Sequence, residues 1–190
     1  MEHLQGCENI CLSGGAAGAD VEWGKAAHAA GHKVIHWGFT GHKSTAPKDQ
    51  IVELSDEQLK ISHAAVRDAA RALDKNPPKR PGVAQLIQRN YFQVAWSTSC
   101  YAVTAIRTDI KPGGTAWATV MFAQLHPESR ELYIFDQLKN RWVQWNGKDW
   151  DPIDSPPRPT GIWAGIGSRD LTEGGREAIR KLMDGASEET

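Results

Sequence analysis

Three short stretches of this 190-residue chain place glycine where anion chemistry is possible: SGGAAGAD at 13–20, KPGGTAWA at 111–118 and GIGSRDLTEGG at 165–175. A strand that runs into glycines and then into a slim helix leaves backbone N–H groups facing outward, and such a helix start attracts phosphate. Gly14 and Gly15 also carry no side chain to hold a ligand away. Each stretch alone is equally how a strand hands over to a helix. The three together describe a cradle for one or two phosphates.

Other residue types near these turns widen the chemistry. Asp20 would repel a phosphate directly. It would instead accept hydrogen bonds from ribose hydroxyls, or brace the glycine turn and offset the helix dipole, which is the expectation. The loop HWGFTGHKS at 36–44 offers Phe39 or Trp37 to stack on a base, and His42 and Lys43 to meet a phosphate. His32, His36 and His42 match no zinc spacing and no cysteine or acid completes a set, so no metal and no cofactor is expected. Trp117, just inside a helix, is expected in the core.

The elements that must position these groups alternate in type. Five β-rich stretches, NICLSG, KVIHWGF, CYAVTAI, LYIFDQ and IWAGIGS, are separated mostly by helical composition. Helices are expected over 16–30, stopping at Gly31, over 55–75 with Ser55 and Gln58 at capping-box spacing, and over 82–96. A further helix follows PGG at 112–114, and the last runs from about 172 to 184. That rhythm predicts an α/β, Rossmann-like three-layer fold with a mainly parallel sheet. The segment 140–160 departs from it, with alternating aromatics around Asn146-Gly147 and then a proline-rich strap. It reads as an added tryptophan-rich β-hairpin, with residues 137–160 inserted into one domain spanning 1–190. Shielding a sheet edge is its expected role, and a platform for a flat ring is the alternative.

Composition narrows the classes. Lys plus Arg total 22 against 23 Asp plus Glu, so no basic field supports broad nucleic-acid binding. No apolar run approaches the ~20 residues needed to span a membrane. MEHLQGCENICL lacks a basic stretch followed by a long apolar one, so no signal peptide is expected. Cys7, Cys11 and Cys100 have no CxxC spacing and are read as reduced thiols of a cytoplasmic protein. The expected assembly is a homo-oligomer.

SGGAAGAD, RNYFQV, PGGTAWA and GIGSRD together resemble the SLOG superfamily of Rossmann-like nucleotide-binding domains. That superfamily includes LOG-type phosphoribohydrolases, DNA-processing proteins and sensors of ADP-ribose-derived signals. The GSRD strand, usually first, comes last here, which looks like a circular permutation. The resemblance implies that Gly113, Gly114 and Thr115 bind phosphate oxygens and that Gly14 and Gly15 line the opposite wall. It implies that Arg89 and Asn90 face the nucleotide, and that Ser168 and Arg169, after Gly167, contact phosphate or ribose. A surface ion pair is the alternative for each arginine. The permuted order is also similar to phage-type proteins, which implies a host-cytoplasmic role sequestering an immune signalling nucleotide.

The hydrolase branch carries PGGxGTxxE, whose glutamate assists cleavage of an N-glycosidic bond. PGGTAWATV has no acid at that place, so the phosphate cradle remains without the obvious catalyst. Binding of a ribose- and phosphate-containing small molecule, such as an ADP-ribose derivative, is therefore expected. Cleavage using Asp20, Asp136 or Asp170 is the alternative. Single-stranded DNA binding comes third, disfavoured by the neutral charge.

Overall fold

The computed structural model describes residues 9–107 and 113–185. Cys7 and Pro112 lie outside the described residues. Eight strands form one sheet in the order β3-β2-β1-β8-β4-β5-β6-β7. They are β1 (Ile10–Ser13), β2 (Lys33–Phe39), β3 (Ile51–Leu54), β4 (Ser99–Thr104), β5 (Leu132–Asp136), β6 (Arg141–Trp145), β7 (Trp150–Ile153) and β8 (Ile162–Gly167). The first six in spatial order pair in parallel, and β6 and β7 add an antiparallel end. The α/β, mainly parallel architecture expected from the alternating pattern is what forms.

Six helices cover the sheet: α1 (Ala19–Ala29), α2 (Asp56–Lys60), α3 (His63–Ala72), α4 (Pro81–Val94), α5 (Gly114–Leu125) and α6 (Glu173–Asp184). One face buries Cys100, Ala102, Leu132, Ile134 and Ile166 against α3, α4 and α5. The opposite face buries Trp23, Tyr101, Tyr133 and Trp163 against α1 and α6. Alternate residues of each strand serve alternate faces, as the pleat requires. Trp117 is buried in the first of these cores. Trp23 and Trp163 form an edge-on pair, and their indole N–H groups donate to the Ile166 carbonyl (3.1 Å) and to His32 Nδ1 (3.2 Å). Cys11 and Cys100 are buried free thiols, and burial pushes both upward in pKa, away from reactivity.

Two elements differ from expectation. The helix expected over 55–75 is two helices, broken where the Ser62 hydroxyl turns back to donate to the Leu59 carbonyl at 2.7 Å. Its start is as read, since Ser55 and Gln58 close a reciprocal capping box. The second difference is β3, a four-residue edge strand that the sequence pattern did not single out. The hairpin forms at Asn146-Gly147, with Trp145 opposite Trp150, and it continues the sheet beyond β5.

The chain runs β1-β2-β3 one way from the centre and β4-β5 the other, with β8 closing the gap between β1 and β4. This is the crevice at which open parallel sheets receive ligands. The turns after β1, β4 and β8 all meet there.

Candidate functional site

A cavity of about 740 Å³ opens over that crevice. Its wall includes Asp20, Arg89, Asn90, Gly113, Gly114, Thr115, Gly167, Ser168 and Arg169, so nine of the residues singled out from sequence converge on one space. Arg107 also borders it, giving three arginines against one carboxylate. The volume lies within the range of small-molecule sites, ~300–1,000 Å³.

Arg89 is the centre of the polar end. It is 4% exposed, and its Nη1 donates to Asp20 Oδ2 at 3.4 Å. The Nε of Arg89 has no hydrogen-bond partner, although it is buried. Arg169 is exposed on the cavity wall, makes no ion pair among the described residues, and opposes the charge on Arg89. Burial pushes the Asp20 carboxyl upward, against the pull of Arg89 and of the Gly167 and Ala16 N–H groups. A guanidinium does not give up its proton in a protein, so Arg89 stays cationic. Two cations therefore border one cavity, one of them buried and under-partnered.

The N-terminus of α5 faces the same space. The Ala116 N–H donates to the Gly113 carbonyl at 3.1 Å, while the N–H groups of Gly114 and Thr115 precede the helical hydrogen bonding and no side chain on Gly113 or Gly114 covers them. A Cβ on Gly113 would meet nothing within 4 Å, and one on Gly114 would meet only Asn90 Nδ2 at 3.9 Å. The glycines therefore keep open a space that the fold itself does not fill. Asn90 holds this helix start in place, its Nδ2 donating to the Gly114 carbonyl at 3.0 Å.

The turn after β1 works differently. Gly14 and Gly15 do not border the cavity, contrary to expectation. A Cβ on Gly14 would collide with the Arg89 guanidinium and the Asp20 carboxylate, so this glycine makes room for their ion pair. Gly15 has φ +64, and its carbonyl accepts from Ser44 Oγ at 2.8 Å and from the Thr45 N–H at 3.0 Å. The N–H of Ala16 turns to Asp20. The first glycine turn packs and braces. Asp20 accepts the Gly167 N–H at 3.1 Å, tying α1 to the end of β8.

The third turn is fixed from several sides. Ser168 N–H donates to the Val103 carbonyl at 2.9 Å, and the Ser168 carbonyl accepts from Ala19 N–H at 3.0 Å. Gln137 donates to Ser168 Oγ and to the Asp170 carbonyl, and accepts from Thr172. The Ser168 hydroxyl itself donates to the Asp170 carbonyl at 3.2 Å.

The loop after β2 stays off the cavity wall. Phe39 is buried with Leu54, Leu59 and Phe92, because its place on β2 points it into that cluster and not toward a ligand. His42 stacks on Phe39 with ring centroids 5.0 Å apart, and Lys43 is exposed elsewhere. Among the described residues no three His, Cys, Asp or Glu gather as metal ligands.

Gln93 escaped the sequence reading. It is 1% exposed, borders the cavity, and its Nε2 has no partner. Its one available signal was its place one helical turn after Arg89, on the same face of α4.

His36 lies buried behind the glycine turn with both ring nitrogens unpartnered. Burial, and then Arg89, pushes its imidazole down to about 4 from 6.5. Between those values the unfolded chain takes up a proton that the folded chain refuses. Stability is therefore full above about pH 6.5 and falls toward pH 4, by on the order of 3 kcal/mol from this ring. Urea unfolding at pH 7.5 and pH 5 should show a larger loss for the wild type than for His36→Leu. Equal losses would place the acid sensitivity elsewhere.

Fold and crevice define a Rossmann-like α/β protein. Compared with solved structures, the chain is similar to a "putative molybdenum carrier protein" from Syntrophus aciditrophicus, with 14% identity, a TM-score of 0.53 and 94% of each chain covered. That likeness is one of fold. No family model matches the chain, and no curated protein matches it. No helix among the described residues is long and apolar enough to cross a membrane.

Proposed function

We propose that this chain binds a phosphate-bearing, nucleotide-derived small molecule, such as an ADP-ribose derivative, and holds it intact. The observation that carries the reading is Arg89: a buried, under-partnered guanidinium opening on a cavity beside Arg169 and the uncovered start of α5. The phosphates would lie against Gly113, Gly114 and Thr115, with Arg89 and Arg169 supplying charge. The SLOG-like motifs support the same placement. A binder of this kind would serve to sequester or carry its ligand, including a signalling nucleotide.

The carboxylates support the reading of retention without cleavage. Asp20 is the one acid on the cavity wall among the described residues, and it is engaged by Arg89 and two backbone N–H groups. Asp136 does not border the cavity and accepts the N–H groups of Ile106 and Leu138, both at 3.1 Å. Asp170 does not border it either. Incubation with NAD, AMP and ADP-ribose, followed by chromatography over time, should return each compound unchanged. Sustained base release that vanishes in Asp20→Asn would establish a glycosidase in its place.

The carrier neighbour suggests a simpler occupant, a tetrahedral oxyanion such as molybdate. It would satisfy the arginines but leave most of a largely apolar 740 Å³ cavity empty. Calorimetry should therefore rank ADP-ribose above molybdate and inorganic phosphate. Gly114→Val should keep the wild-type melting temperature, since its side chain enters open space, while ADP-ribose affinity falls at least tenfold. Unchanged affinity in the folded variant would remove the α5 start from the site.

A further inference from the structure

The polar end accounts for only part of the cavity. The rest of the wall is apolar, including Leu73, Val83, Ile106, Val120, Trp145 and Trp150. The two tryptophans come from the hairpin, where they face each other across β6 and β7 with ring centroids 5.2 Å apart and planes at 57°. The edge of β5 is covered by the backbone pairing of β6 and by Trp142 and Val143, which are buried on opposite faces, while Trp145 and Trp150 pack against the first core from one side. Trp145 and Trp150 remain half-buried, with part of their ring surface on the cavity.

We propose that this lobe is a second subsite, in which the tryptophan hairpin receives a planar ring joined to the anionic head held at Arg89. The proposal rests on the functional reading above and adds the part of the ligand that sets specificity. A ring suits the lobe because tilted aromatic faces accept another ring edge-on or offset, with contact area gained at little conformational cost. Polar partners on this wall are few. Thr119 donates its hydroxyl to the Ala116 carbonyl at 3.1 Å, and the unpartnered Gln93 Nε2 belongs to α4, one turn from Arg89. A flat heteroaromatic ring, as in a nucleobase, matches this apolar, aromatic wall.

Calorimetry with ribose 5-phosphate, AMP and hexyl phosphate tests the lobe, with tryptophan fluorescence as the second readout. The wild type should bind AMP at least tenfold more tightly than either ringless phosphate, and AMP should quench the fluorescence. Trp150→Ala should bring AMP down to the level of ribose 5-phosphate, whose own affinity stays within about twofold. Trp150→Phe, which keeps a ring, should restore most of the preference. Equal wild-type affinities for AMP and ribose 5-phosphate would overturn the ring subsite and leave the anion site standing. Hexyl phosphate binding as well as AMP would likewise overturn a planar occupant. Failure of all three to bind would overturn the anion site and the ring subsite together.

Discussion

Replacing Arg89 by methionine is expected to cost about 3–5 kcal/mol of stability and to abolish binding of ADP-ribose. The stability loss comes from Asp20. Its carboxylate is 5% exposed by residue, and Arg89 is its one ion-pair partner among the described residues. Methionine fills much of the same volume, so the loss reports the abandoned charge and not a void. The binding loss has a separate origin, the missing donor at the anion site. The double variant Asp20→Asn/Arg89→Met separates them. It should recover much of the stability, because a neutral amide can still accept the Gly167 N–H, and it should recover none of the affinity. Urea unfolding and calorimetry on the three proteins decide the matter. A stable Arg89→Met protein would deny the buried pair its role, and one that binds normally would remove Arg89 from the site.

The same pair shows why the site was only partly legible in the sequence. The strands were readable where a local pattern specified them, as in KVIHWGF, which is β2 residue for residue. Capping chemistry at Ser55 and Gln58 and the Asn146-Gly147 turn are also local, and both formed as read. β3 was hidden because IVEL is too short to display alternation and has two of its four residues exposed. The break at Ser62 was hidden because the apolar stripe continues across it. The partnership of Asp20 with Arg89 spans 69 positions, and no local rule anticipates it. Gly14 was read as a phosphate contact because glycine at the end of a strand permits close approach. What approaches is a guanidinium from α4, which only the packing of α4 on β1 reveals. The convergence of the α5 start with Arg169 was legible for the opposite reason. Both follow parallel strands, and topology alone brings such turns to one edge.

Replacing Gly18 by alanine is expected to destabilise the protein by about 3 kcal/mol or more and to weaken ADP-ribose binding at the same time. Gly18 adopts φ 98 and ψ −134, a region essentially closed to other residues, and occupying it costs an L side chain ~1–3 kcal/mol. The added Cβ would also lie 2.6 Å from Arg169 Cα and from the Ser168 carbonyl oxygen, which is backbone and cannot rotate away. The first glycine turn would have to push the third aside, together with the Gly167 N–H that Asp20 holds and the Ala19 N–H that Ser168 accepts. Arg169 rides on that turn, so the cavity should lose part of its positive wall even in molecules that remain folded. Gly31→Ala supplies the control. Gly31 also has positive φ, +79, but a Cβ there meets nothing within 4 Å. It should therefore cost only the conformational strain of about 1–2 kcal/mol and leave ADP-ribose affinity as in the wild type. Equal losses of stability in the two variants would mean that the turns after β1 and β8 do not brace each other. A Gly18→Ala protein with full affinity would place Arg169 outside the anion site.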